Sequence, residues 1–127
     1  MISDKQLSPR QEIGMAAQAI AKAFLCKQGL RYLTQNFTCP QGEIDLIMAD
    51  KETIVFIEVR YRKRADFGSA LDSITRRKQL KIMKTACVYM MKEACYHTKA
   101  MRFDVISLEG SLDQAQPVWI KQAFTQS

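Results

Sequence analysis

Histidine, glycine and proline are scarce: one, five and three copies in 127 residues. A lone imidazole, His97, rules out a histidine-built metal centre and offers no evident triad partner. The four cysteines, Cys26, Cys39, Cys87 and Cys95, include no Cys-x-x-Cys pair. The close thiolate pairs of a structural zinc site are therefore missing, and the cysteines are expected to be buried free thiols of a reducing compartment. No apolar run approaches the ~20 residues that cross a bilayer. The opening Met1-Ile2-Ser3-Asp4-Lys5 lacks the apolar stretch of a secretory signal. No repeat, low-complexity tract or Pro/Gly-rich linker marks a boundary. These absences predict one cytoplasmic, non-membrane domain over residues 1–127, with flexible ends at 1–7 and 122–127.

What the chain does have is apolar content and concentrated positive charge. Hydrophobic residues make up 47% and charged residues 25%, enough for a packed core and too apolar for a disordered tail. The net charge is +6. Arg60, Arg62, Lys63, Arg64, Arg76, Arg77, Lys78, Lys81 and Lys84 face only Asp66 and Asp72 within residues 60–84. Nine positive and two negative charges leave +7 there and −1 elsewhere. Basicity gathered in one segment suits a phosphate backbone, although a solvated basic helix face would show the same composition.

Ser8-Pro9-Arg10-Gln11 reads as a helix start, with Ser8 as N-cap, Pro9 at N1 and Gln11 closing a capping box. Ile13, Ala17, Ile20 and Phe24 continue it as one apolar face, and Gly29 suits its end. Leu30–Thr38 is predicted as a strand. Gly42–Asp50 alternates, placing Ile44, Leu46 and Met48 on one face and Glu43, Asp45 and Ile47 on the other. Thr53–Tyr61 is apolar almost throughout, as a central strand requires. A second helix is predicted from about Asp72 to Ala94, with Leu80, Met83, Cys87, Met90 and Ala94 as its apolar stripe. Met101–Leu108 and Pro117–Lys121 complete the strands. The order α-β-β-β-α-β(-β) predicts an α/β fold, a mixed sheet flanked by helices.

A two-residue turn at Lys51-Glu52 would pair Asp50 with Thr53 and set Asp45 opposite Glu58 and Glu43 opposite Arg60. Like charges so placed are destabilising, and the apolar run around Glu58 further disfavours its ionised form. Arg60, a proton or a divalent cation would relieve the conflict. Magnesium suits the third case, since it takes one or two carboxylates and phosphate oxygens.

Gly42-Glu43-Ile44-Asp45-Leu46-Ile47 and Val55-Phe56-Ile57-Glu58-Val59-Arg60 with Arg62 resemble the signature of the YraN family. Gly29, Asn36, Phe67-Gly68, Arg77-Lys78-Gln79 and Arg102-Phe103-Asp104-Val105 add to a likeness over residues 15–106. These small bacterial proteins have a restriction-endonuclease-like fold similar to Holliday junction resolvases. The resemblance implies a PD-(D/E)xK site with Asp45 and Glu58 as ligands of Mg²⁺ or Mn²⁺ and Arg60 at the position of the lysine. It places Gln18 where many members carry a first-helix glutamate, and Thr38 where an arginine is typical. Arginine stabilises charge but cannot act as a general base. The implied function is a nucleic-acid-binding protein, DNA its expected partner, with weak or degenerate structure-selective cleavage and a homodimer as a candidate assembly. Arg62, Lys63, Arg64, Arg77, Lys78, Gln79, Lys81 and Lys84 are the expected phosphate-side residues. The alternatives are an inactive DNA- or RNA-binding module with a structural ion cluster, and a basic protein-interaction domain.

Overall fold

The structure, a computed structural model, describes residues 6–63, 73–93 and 99–125. Helix α1 (Pro9–Lys27) begins at the anticipated capping box. Ser8 Oγ accepts from the Gln11 N–H at 3.1 Å, and Gln11 Oε1 accepts from the Ser8 N–H at 2.9 Å. It ends at Gln28, and Gly29 follows with φ +99°. Strands β1 (Arg31–Cys39), β2 (Gly42–Asp50) and β3 (Thr53–Arg62) follow. Next come α2 (Arg76–Lys92), β4 (Ala100–Glu109) and the short β5 (Val118–Ile120). The sheet runs β1-β2-β3-β4-β5, with β3 and β4 parallel and the other pairs antiparallel. The mixed sheet and its element order are those expected. No helix among the described residues is long and apolar enough to cross a membrane.

Helices α1 and α2 pack on opposite faces of the sheet, which is why β3 is apolar on both sides. Ile54 and Phe56 join Ile82, Met83, Ala86 and Tyr89 of α2. Val55 and Ile57 join Ala17, Ala21 and Leu25 of α1. Tyr89 meets Phe37 and Phe56 edge-on, with centroids 5.2 and 6.0 Å away. That aromatic contact sets the roll of α2 and corrects the expected stripe. Ile82, Met83, Ala86, Tyr89 and Met90 are buried, Leu80 is exposed, Cys87 is half-buried, and Ala94 lies outside the described residues. The helix is also shorter than expected, with Thr75 as N-cap. On α1, Ile13 lies on the apolar stripe yet is 44% exposed, because the first turns reach beyond the covered part of the sheet.

Two further expectations are corrected. The described thiols are free but not buried, Cys26 being exposed and Cys39 and Cys87 half-buried, while Cys95 and His97 lie outside the described residues. Residues 122–125, expected as part of a flexible end, pack back on the sheet, where Phe124 is buried and stacks on Phe103 at 5.3 Å.

Asp104, fully buried on β4, anchors this last segment. Its carboxylate accepts from Arg102 Nε and Nη2 at 3.0 Å each, and from Trp119 Nε1 and the Gln122 N–H at 2.9 Å. Arg102 Nη1 also donates to Asp50 at 3.2 Å, tying the end of β2 to β4. A buried charge with every lone pair engaged is costly to remove, since its partners stay buried and unpaired. Asp104→Ala is expected to lower the unfolding free energy by about 3–5 kcal/mol in urea denaturation. A loss below about 1 kcal/mol would mean the network adds little beyond an ordinary hydrogen bond.

Candidate metal and nucleic-acid site

The turn at Lys51-Glu52 has two residues, and the β2–β3 ladder runs from Asp50↔Thr53 to Leu46↔Ile57. This is the anticipated register. The regular pairing ends there, one residue before Asp45 and Glu58. Asn36, which would pair with Asp45 on the β1 side, has φ +53° and is skipped by that ladder. Alternation in β2 breaks at the same point. Ile44 packs with Ile47 on the α2 side, while Leu46 and Met48 pack on the α1 side. The expected grouping of Ile44 with Leu46 and Met48 is therefore corrected. This change of face falls opposite the left-handed Asn36, while the shift in the β1–β2 register itself lies between Tyr32 and Thr34.

Asp45 uses this break. Its Oδ2 accepts the Val59 N–H at 2.8 Å, a donor that the parting strand no longer satisfies, and Oδ1 lies 3.4 Å from Gln18 Nε2 on α1. Glu58 adjoins it, and its carboxyl hydrogen-bonds Asp45. Burial, and then the negative charge of Asp45, push Glu58 up to about 8. The Arg60 guanidinium, with Nη2 2.9 Å from Glu58, opposes that rise and is outweighed. Burial also raises Asp45, against the pull of the Val59 N–H. The pair thus holds one proton near neutral pH, and Glu58 is its natural carrier because Asp45 already accepts a backbone donor. Of the three anticipated remedies for opposed acids, the arginine is present as an ion pair, and burial favours the second, a proton on Glu58.

Gln18, Asp45 and Arg60 line a cleft of ≈ 750 Å³ together with Arg10, Tyr61 and Lys63. The Gln18 Oε1 is buried without a hydrogen-bond partner, as is Arg60 Nε. Two carboxylates and an unsatisfied amide oxygen form a hard-oxygen donor set of the kind magnesium and manganese accept. Gln18, Asp45, Glu58 and Arg60 are therefore gathered in one place.

The expected phosphate-side residues divide. Lys63 lines the cleft, and Lys78 is near enough for its charge to act on Glu58. Arg77, Lys81 and Lys84 are exposed along α2, whose first turn is basic with no acid. The helix dipole adds to that positive field. Gly42 brings α2 close to the start of β2, since a Cβ there would lie 3.0 Å from Thr85 Oγ1. Arg62 pairs with Glu109. The Gln79 amide donates to Ile74 O at 3.2 Å and accepts from Arg76 at 3.0 Å, so it closes the helix start instead of facing the site. Arg64 lies outside the described residues. Arg10 was missed. Its spacing of i, i+4 and i+8 with Gly14 and Gln18 is the signal that would have found it.

The Uncharacterised protein family UPF0102 matches residues 17–108, a span holding all four clustered residues. A UPF0102 protein of Pseudomonas putida strain W619 is 48% identical over 120 residues, covering 94% of this chain and 97% of its own. Another, from Pseudomonas syringae pv. syringae strain B728a, is 44% identical over 120 residues, covering 94% and 98%. One from Pseudomonas savastanoi pv. phaseolicola strain 1448A / Race 6 is 43% identical over 118 residues, covering 92% and 96%. With most of its length inside the family pattern and these relatives matched nearly end to end, the chain belongs to UPF0102, the YraN family.

Proposed function

We propose that the protein binds nucleic acid, chiefly DNA, and cleaves it slowly with a magnesium or manganese ion held by Asp45 and Glu58. The reading rests on one observation: two adjoining carboxylates sit where β2 and β3 part, and one of them, Asp45, lines a cleft whose wall also carries Arg10, Arg60 and Lys63. Such an ion neutralises charge at the scissile phosphate and makes its water more acidic. Gln18 adds a neutral oxygen. Glu58 must release its proton for a cation to enter, so ion affinity rises with pH up to about 8. Arg60 stabilises charge on the phosphate but takes no proton from water, which accounts for slow turnover. Phosphate contacts from α2 and the rim fix position without reading bases, so recognition is of DNA structure. The free thiols suit a reducing cytoplasm.

A second reading is favoured by the Arg60–Glu58 ion pair, and by the described residues holding no cluster of three or more His, Cys, Asp or Glu. There the acids form a structural ion cluster in a binding module without catalysis. An unchanged melting temperature on adding Mn²⁺ selects this second reading.

On a four-way DNA junction in Mn²⁺, the wild type is expected to cut slowly. Asp45→Asn and Glu58→Ala should each lower the rate at least about 100-fold, more than loss of a residue behind the ligands, while retention on DNA in EDTA stays near wild type. If junction, duplex and single strands all remain intact in Mg²⁺ and Mn²⁺, the enzymatic half of the reading is lost.

The raised Glu58 gives a stability profile of definite sign. The fold favours its neutral form, so the stabilisation is complete below its ordinary value of 4.5 and is lost as pH climbs through about 8. Melting temperature should therefore fall between pH 5 and 9, and Glu58→Gln, which cannot ionise, should flatten that fall. Parallel curves for the two proteins would show that Glu58 titrates normally.

A further inference from the structure

Helix α1 carries Gly14 in its interior, where glycine weakens a helix relative to alanine. Nothing in the fold demands it. Its φ is not left-handed, and a Cβ added there would meet no atom within 4 Å. The open space in front of it belongs to the cleft that holds Asp45 and Gln18. Ile13 borders the same space with 44% of its surface exposed. Tyr61 also lines the cleft, its hydroxyl donating to Gly110 O at 2.6 Å, which fixes the ring from its far end. Tyr61 and Lys63 also line a second recess of ≈ 470 Å³ with Leu112 and Asp113. One tyrosine thus stands between two hollows, and one lysine serves both.

Resting on the nucleic-acid reading above, we infer that this trough takes an unpaired stretch of the strand, with a base lodged against Ile13, Gly14 and Tyr61 while Arg10 and Lys63 meet its phosphates. The chemistry separates this from duplex binding. A duplex keeps its base faces stacked and offers a side surface of sugar and phosphate, to which an apolar shelf contributes nothing. An unstacked base has a bare face, and an apolar or aromatic wall beside basic side chains is how proteins hold one. The cleft volume of ≈ 750 Å³ falls within the range that encloses a small organic molecule, here one nucleotide, and is far too narrow for a double helix. The unpaired segment would then run directly past Asp45 and Glu58.

The test is fluorescence anisotropy on the full chain in EDTA, with a labelled oligothymidylate and a blunt duplex of the same length at one salt concentration. Wild type is expected to bind the oligothymidylate about tenfold more tightly than the duplex, the value of stacking roughly one base. Gly14→Leu, which fills the hollow, should lose about tenfold in oligothymidylate affinity without any fall in melting temperature, since leucine is the better helix former. Ile13→Ser, an exposed change that leaves folding intact, should weaken the same binding. Equal affinity of wild type for the two DNAs would overturn the inference while leaving the proposed nucleic-acid function standing, and so would undiminished oligothymidylate binding by both variants. Failure to retain either DNA would overturn both.

Discussion

One backbone donor organises the site. Where β2 leaves β3, the Val59 N–H loses its ladder partner, and a buried amide left unpaired is costly. The Asp45 carboxylate takes it at 2.8 Å, and in doing so comes to rest beside Glu58 in the gap between strands. A regular ladder would have kept both acids over the hydrophobic layer under α2, where two ionised carboxylates could not persist. The break places them at an opening, within reach of Gln18 from one helix and of the Lys78 charge from the other. Fold and site are joined at this irregularity. The apolar β3 holds the two layers together, and the polar break at its exit supplies the chemistry.

The acids still carry a conflict that the protein resolves only in part. Arg60 at 2.9 Å offsets the repulsion, and burial favours a proton on Glu58, yet Gln18 Oε1 and Arg60 Nε stay buried without partners. A compact structural ion cluster would be expected to satisfy such atoms internally. Atoms left wanting an acceptor or a cation, in a cleft with a basic rim, fit a place built to receive a charged ligand. The Asp104 network shows the contrast. There each oxygen is engaged, the group is fully buried, and its role is to hold β4, β5 and the chain end together.

The legible part of the fold followed from periodicity and turn chemistry. The capping box at Ser8, the turn at Lys51-Glu52 and the doubly apolar β3 each have a local cause, and each stands where the residues indicated. The roll of α2 did not. Met83 and Met90 fit more than one stripe, and Tyr89 chose between them by meeting Phe37 and Phe56 from distant strands. The site was legible in membership but not in geometry. Residue spacing paired Asp45 with Glu58, whereas the left-handed Asn36 and the change of face opposite it reveal themselves only in the folded backbone. Gln79 was a phosphate-side candidate because it matches a helix position of the resembling family, and its amide instead donates to Ile74 O just before its own helix.

Calorimetric titration of the full chain with Mn²⁺ at pH 8, repeated on Asp45→Asn, tests the central claim most directly. The account predicts a single binding event for the wild type that disappears in the variant. An event of equal affinity in both proteins, or none in the wild type, would show that the two acids at the strand gap do not form a cation site.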